Sequence, residues 1–263
     1  MAHEITAAFE QLKRDGKKAF IPYITAGDPD LETTVELVLE LERSRSTVVE
    51  LGIPFSDPLA DGPTIQRASE RALRHGYRLA DHLAAVRLIR SRSAIPIVLF
   101  SYFNPIMQYG MESLAQDACA AGVNGVLITD MTPEEGSEYR ASLETLGIDP
   151  IFLVAPTSSA ARIRKIVECT RGFVYIVSRI GVTGTRDRLS ESVIPTVRKV
   201  RDQTDLPVVV GFGISRPEQV RAVWEIADGA VVGSAIVAEI ERWSATPQLV
   251  ARVGRLCRWL TQQ

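Results

Sequence analysis

Glu50 stands inside an apolar run, Val48-Val49-Glu50-Leu51, where an ionisable side chain is out of place. Burying a carboxyl group disfavours its charged form. The pKa rises toward neutrality, and the group can both give and take protons near pH 7. The alternative is a structural carboxylate that caps a backbone N–H or pairs with an arginine, although strand interiors rarely hold such groups cheaply. Asp61 follows in a Gly/Pro-rich stretch, Asp57-Pro58-Leu59-Ala60-Asp61-Gly62-Pro63, where it serves either the chemistry or the turn. Asp28, Asp57 and Asp130 are the other carboxylates at the ends of apolar runs.

Other reactive groups are missing from such places. The five lysines (Lys13, Lys17, Lys18, Lys165, Lys199) lie outside the apolar runs, which argues against a Schiff-base mechanism. His3, His75 and His82 and the dispersed Cys119, Cys169 and Cys257 form no ligand cluster, so no zinc or iron centre is expected. What remains is acid–base catalysis by carboxylates, without metal or covalent intermediate. A second signal is glycine: Gly181–Thr185, Gly211-Phe212-Gly213 and Gly233-Ser234-Ala235. Glycine lets backbone N–H groups approach an anion closely, or it merely supplies a tight turn.

The elements that must position these residues alternate along the chain. Eight short apolar runs read as strands: Phe20–Thr25, Thr47–Leu51, Ile97–Ser101, Gly125–Thr129, Ile151–Val154, Phe173–Ser178, Pro207–Gly211 and Ala230–Gly233. Their near-continuous apolar character marks parallel strands buried on both faces. Amphipathic segments separate them: Leu31–Leu41, Gln66–Arg74 with Leu79–Arg90, Met111–Ala121, Glu134–Leu146, Ala160–Thr170, Val193–Arg201, Arg216–Ile226 and Ile236–Trp243. Helices at Ile5–Arg14 and Gln248–Leu260 complete the pattern, the first as a cap on the barrel bottom. The reading is α/β: a (β/α)₈ TIM barrel with an extra N-terminal helix, one domain over residues 1–263. The rival, a doubly wound sheet, would want GxGxxG after its first strand, where Thr25-Ala26-Gly27-Asp28 stands.

A barrel places its site at the C-terminal ends of the strands, and its last two loops often bind phosphate. Tyr175, on the sixth run, either fills the barrel or faces that site. The long loop at Gly181–Thr185 has the character of a lid. Arg67, Arg71, Arg74, Arg87, Arg90 and Arg92 are expected on solvated helix faces with i,i+4 partners.

The chain has 263 residues, 46% hydrophobic and 24% charged, with a net charge of −2. Such a balance argues against a nucleic-acid binder, and no run of about 18 apolar residues suggests a membrane span. The N-terminal stretch lacks a signal-peptide pattern, and no CxxC occurs, so a reducing, cytoplasmic setting is expected.

These residues resemble a known family. Glu50–Gln66, ELGIPFSDPLADGPTIQ, is similar to the signature of the tryptophan synthase α subunits. Phe20–Asp28 (FIPYITAGD), Ser178–Gly184 (SRIGVTG), Gly211–Ser215 (GFGIS) and Gly233–Val237 (GSAIV) extend the likeness in order along the chain. The resemblance implies a lyase that cleaves indole-3-glycerol phosphate to indole and glyceraldehyde 3-phosphate in tryptophan biosynthesis. It implies Glu50 as general acid/base and Asp61 as the carboxylate at the indole N–H. Tyr175 would stand beside them, and Tyr23 and Ile65 would line the indole pocket. Gly184, Gly213, Gly233 and Ser234 would bind phosphate, and Thr183 would meet Asp61 on lid closure. It also implies an α2β2 complex in which a β subunit carries pyridoxal phosphate, this chain itself holding no cofactor. Pro54, Asp57 and Asn104 would lie in the contact region.

Three places depart from the family pattern. Arg43-Ser44-Arg45-Ser46-Thr47 replaces a Gly-Ala-Asp turn, the proline of Asp130-Met131-Thr132-Pro133 is shifted by one, and Ile180 replaces a small residue. A lyase acting alone, a non-catalytic phosphate-binding barrel and a phosphosugar isomerase are the alternatives at the level of the fold.

Overall fold

A computed structural model describes residues 3–177, 193–211 and 213–262. In chain order the elements are α1 (Glu4–Arg14), β1 (Ala19–Thr25), α2 (Leu31–Arg43), β2 (Val49–Gly52), α3 (Pro63–Leu73), α4 (Leu79–Arg90) and β3 (Ile97–Ser101). There follow α5 (Phe103–Tyr109), α6 (Met111–Ala121), β4 (Gly125–Ile128), α7 (Ser137–Thr145), β5 (Asp149–Ile151), β6 (Leu153–Val154) and α8 (Ala160–Cys169). The last are β7 (Val174–Val177), α9 (Val193–Arg201), β8 (Val208–Gly211), α10 (Pro217–Ile226), β9 (Gly229–Val232), α11 (Ser234–Trp243) and α12 (Leu249–Thr261).

All strand pairings are parallel, in the order β5-β4-β3-β2-β1-β9-β8-β7-β6. The two ends of that order, β5 and β6, are consecutive in the chain with only Phe152 between them. The sheet therefore closes on itself through residues 149–154, as a (β/α)₈ barrel does.

Side chains alternate across each strand. Val49 and Leu51 face the helices with Ile24, Ile97 and Leu99. Val48 faces inward with Ile21, Val98, Leu127, Ile151, Phe173, Val209 and Val231. Helix α1 plugs the lower end: Ile5 and Phe9 are buried against this inner cluster, and Phe9 packs on Phe173 with ring centroids 5.8 Å apart. Helix starts are capped by side chains: Asp30 accepts from the Thr33 N–H at 2.7 Å, and Gln219 accepts from the Ser215 and Arg216 N–H groups.

Three expectations are corrected. Phe103–Tyr109, outside every expected element, is a helix, because Asp130 accepts from the Phe103 N–H at 2.7 Å and caps it from the neighbouring unit. The fifth strand begins earlier, at Asp149, and breaks at Phe152, where it passes from pairing with β4 to pairing with β7. Helix α7 starts at Ser137 instead of Glu134, since Thr132 and Glu135 form a turn of their own through side-chain hydrogen bonds.

Candidate active site

Glu50 lies on β2 in register with Tyr23 of β1 and Val98 of β3. It alternates with Leu51 and so points inward, where it is fully buried. Neither carboxylate oxygen has a hydrogen-bond partner among the described residues. The other buried carboxylate on the sheet, Asp149, is answered by His3 at 2.7 Å. An unpaired charge in such a place is prohibitively costly, so the group holds its proton instead. Burial pushes the Glu50 pKa well above the ordinary carboxylate range.

Asp61 comes from the loop between β2 and α3, one residue before Gly62 and the helix start at Pro63. Burial raises its pKa from the ordinary 3.8 to about 6, while a hydrogen bond from Tyr102 pulls the other way. Tyr102, buried at the end of β3, also accepts from the Ala60 N–H at 2.9 Å and packs its ring on Phe55 at 5.4 Å. One phenol thus ties down the loop that carries Asp61. Tyr102 directly follows the expected third strand, Ile97–Ser101, and its partners lie some forty positions away, with no local pattern to reveal them.

Two further tyrosines line the interior. Tyr23 and Tyr175 are buried, and burial raises the pKa of both hydroxyls. Glu50 and Asp61 both lie near enough to act on these hydroxyls, so the two carboxyl groups converge on one region of the barrel. Each phenol rests on a glycine of the adjacent strand. A β-carbon at Gly52 would lie 2.1 Å from the Tyr23 hydroxyl oxygen, and one at Gly211 would lie 2.3 Å from that of Tyr175. Gly52→Ala should therefore cost about 1–3 kcal/mol by overpacking. Adding Tyr23→Phe should recover part of it, as measured by denaturant unfolding of the single and double variants.

The remaining glycines differ in kind. Gly213 has φ +74°, a backbone shape that itself demands glycine. Gly233 has no such reason: φ is −112°, and a β-carbon would meet Tyr23 only at ordinary contact distance. Helix α11 begins at Ser234, and its Ile236 and Val237 N–H groups both go to the Gly233 carbonyl. The preceding N–H groups, of Ser234 and Ala235, have no acceptor within the helix. Ser234 is exposed, and Ile65 of α3 is partly buried beside Tyr23. Thr183 and Gly184, with the lid expected around them, lie outside the described residues.

The family model for the tryptophan synthase alpha chain matches residues 9–262. The tryptophan synthase alpha chain of Geotalea uraniireducens is 50% identical over 250 residues, which cover 95% of this chain and 93% of that one. The chain belongs to the tryptophan synthase alpha chain family. It is a lyase that cleaves indole-3-glycerol phosphate. Solved structures of the family superpose closely. The alpha subunit from Legionella pneumophila strain Paris matches with a TM-score of 0.90 at 38% identity, covering 100% of this chain and 98% of that one. A chain from the tryptophan synthase a2b2 complex of Pyrococcus furiosus matches with a TM-score of 0.87 at 37% identity, covering 93% and 98%.

The other strand-end carboxylates of this family member are engaged elsewhere. Asp28 is fully buried, and its two oxygens accept from the Nε and Nη2 of Arg71, each at 2.8 Å. Asp130 caps α5, and exposed Asp57 accepts from the Ser56 hydroxyl. Arg71 and Arg90 correct the expectation of solvated arginine faces. Arg71 reaches Asp28, and Arg90 is part-buried on the Gly122 carbonyl and the Asn124 side chain. Of the expected contact residues, Asp57 and Asn104 are exposed and Pro54 is buried. No group of three or more His, Cys, Asp or Glu able to hold a metal occurs among the described residues.

Proposed function

We propose that Glu50 and Asp61 carry the cleavage, and that one catalytic domain spans residues 1–263. The supporting observation is the buried carboxyl of Glu50, unpartnered among the described residues and facing the same interior as Asp61. Protonated Glu50 delivers its proton to C3 of the indole, and the ring becomes a cationic indolenine. The Glu50 carboxylate then takes the proton of the glycerol hydroxyl next to the ring. The carbon–carbon bond breaks, its electron pair restores the indole, and the aldehyde of glyceraldehyde 3-phosphate forms. The proton count closes, with Glu50 protonated again. Ionised Asp61 at the ring nitrogen stabilises the cation.

Tyr23 and Ile65 hold the ring, and Tyr175 closes the interior beside Glu50. Gly213, Gly233, Ser234 and Gly184 receive the phosphate end, and Thr183 meets Asp61. Gly233 supports this assignment, because nothing in its packing among the described residues accounts for a glycine there. Anchoring both ends of the substrate fixes the geometry at the reacting carbon. These steps use only this chain's carboxylates, and pyridoxal phosphate belongs to the partner.

The partner is a β subunit in an α2β2 assembly. Leu59 is 94% exposed, and Leu73 and Met107 are also exposed apolar side chains. Leu59 and Leu73 line a groove of about 170 Å³ together with Asp57 and Phe55. Exposed apolar groups rimmed by polar residues suit a protein interface. No helix among the described residues is long and apolar enough to cross a membrane, and the setting we assign is the cytoplasm.

The test is indole formation from indole-3-glycerol phosphate by the purified chain, with and without a β subunit. Cleavage that accelerates with the β subunit supports the reading. Cleavage indifferent to it favours a lyase acting alone, and no indole in either case overturns the assignment. The pH profile carries a sign. The free enzyme needs Asp61 ionised and Glu50 protonated, so kcat/KM should rise as pH passes about 6 and fall on the alkaline side as Glu50 ionises. Stability moves oppositely. A folded-state pKa above the unfolded one means that the Asp61 contribution is complete below about pH 4. It is lost as pH rises through about 6.

A further inference from the structure

Arg71 sits at the junction of three elements. Its Nε and Nη2 donate to the two oxygens of Asp28 at 2.8 Å, on the loop after β1. Its Nη1 donates to Oε1 of Glu241 at 2.8 Å, on α11. Arg67, one turn earlier on α3, donates through Nε and Nη2 to both Glu241 oxygens, again at 2.8 Å. The four charges balance. Chiefly the Arg67 hydrogen bonds, then the Arg71 charge, hold the Glu241 carboxyl at about 2, so the pairs persist over the working pH range. Beneath them Ala68 of α3 and Val237 of α11 pack together with Tyr23 of β1.

Each bridged element carries one part of the proposed site. The strand β1 carries Tyr23, the start of α3 follows Asp61 and bears Ile65, and the start of α11 is Ser234. Resting on that proposed site, we infer that Arg71 is a positioning residue: gripping Asp28 and Glu241 with one rigid guanidinium, it sets the span between the ring-binding and phosphate-binding ends. A planar fork fixes direction as well as distance, which a lysine ammonium on a flexible stem does not. The substrate has a set length from ring nitrogen to phosphate. A helix shift of about 1 Å misplaces one end relative to the other and costs up to about 100-fold in turnover.

The test compares two ligands by calorimetry: indolylpropyl phosphate, which spans both ends and lacks the cleavable hydroxyls, and glycerol phosphate, which occupies the phosphate end alone. Removing the Arg71 charge would strand buried Asp28 and could prevent folding, so the variants are Glu241→Gln and Arg71→Lys, with Arg67→Gln as an independent cut of the α11 leg. The expected result is about tenfold weaker binding of indolylpropyl phosphate, with glycerol phosphate changed less than about twofold, in chains with native near-UV dichroism. KM for indole-3-glycerol phosphate rises and kcat falls together. Equal losses for both ligands, no loss for either, or failure of all three variants to fold would overturn the inference in favour of a structural clamp. A wild-type chain that binds neither ligand would overturn the site itself, and the inference with it.

Discussion

Glu50→Gln should lower the rate of indole release by about 10³-fold, the scale of a lost general acid–base group. The substitution keeps the shape and replaces the ionisable carboxyl with an amide that cannot give or take a proton at this pH. Binding of indolylpropyl phosphate should survive it, because the ring pocket and the phosphate end are untouched. Stability separates this role from a structural one. A residue that completes a buried ion pair would cost about 3–5 kcal/mol when neutralised. Glu50 has no hydrogen-bond partner among the described residues and its pKa is raised by burial, so at neutral pH it costs the fold stability that a non-ionising glutamine does not, and the unfolding midpoint should hold or rise. Single-turnover indole formation and denaturant unfolding on the same preparations check both halves. A large loss of stability would assign Glu50 to the fold instead of the chemistry.

Asp61→Asn should cost about 10²-fold in kcat/KM, the effect of removing one electrostatic stabiliser of a developing charge. It should also abolish the acid limb near pH 6, because that limb belongs to the Asp61 carboxyl. The two effects are linked: a variant that slows the reaction but keeps the limb would show that another group titrates there. Tyr102→Phe gives an internal comparison. It removes the hydroxyl that bonds both Asp61 and the Ala60 N–H while leaving the charge in place. Its effect should therefore be the smaller of the two, with the limb shifted upward since the hydrogen bond that lowers the Asp61 pKa is gone. Profiles of kcat/KM from pH 5 to 9 for the three proteins settle the matter.

The parts of the fold open to reading from sequence were those with local causes. Parallel strands buried on both faces leave unbroken apolar runs, and the observed barrel strands lie within or beside the expected ones. Glu50 announced itself because a charge in such a run has no cheap explanation. The helix at Phe103–Tyr109 did not, because Phe103-Asn104-Pro105 reads as a turn and the cap comes from Asp130 in the next unit. The break at Phe152 was hidden for a similar reason: it reflects a change of strand partner, not a change of residue type.

Side-chain partners distant in sequence were the least accessible. Asp28 is one of the strand-end carboxylates in sequence, and only the fold shows that Arg71, 43 positions away, occupies both its oxygens. Arg71 itself was indistinguishable from its solvated neighbours on the same helix. The glycines carry the same lesson. Of these three, Gly211 exists for Tyr175, Gly213 for its backbone angle, and Gly233 is left unexplained by packing or conformation among the described residues. Spacing alone could not sort the three.

The central claim is that the Glu50 carboxyl is protonated at rest. Infrared difference spectroscopy of wild type against Glu50→Gln reads it directly. A protonated-carboxyl C=O band present at pH 7, absent from the variant and lost only on further alkalinisation, is the expected result. A Glu50 that titrates in the ordinary carboxylate range and shows only carboxylate bands at pH 7 would contradict it.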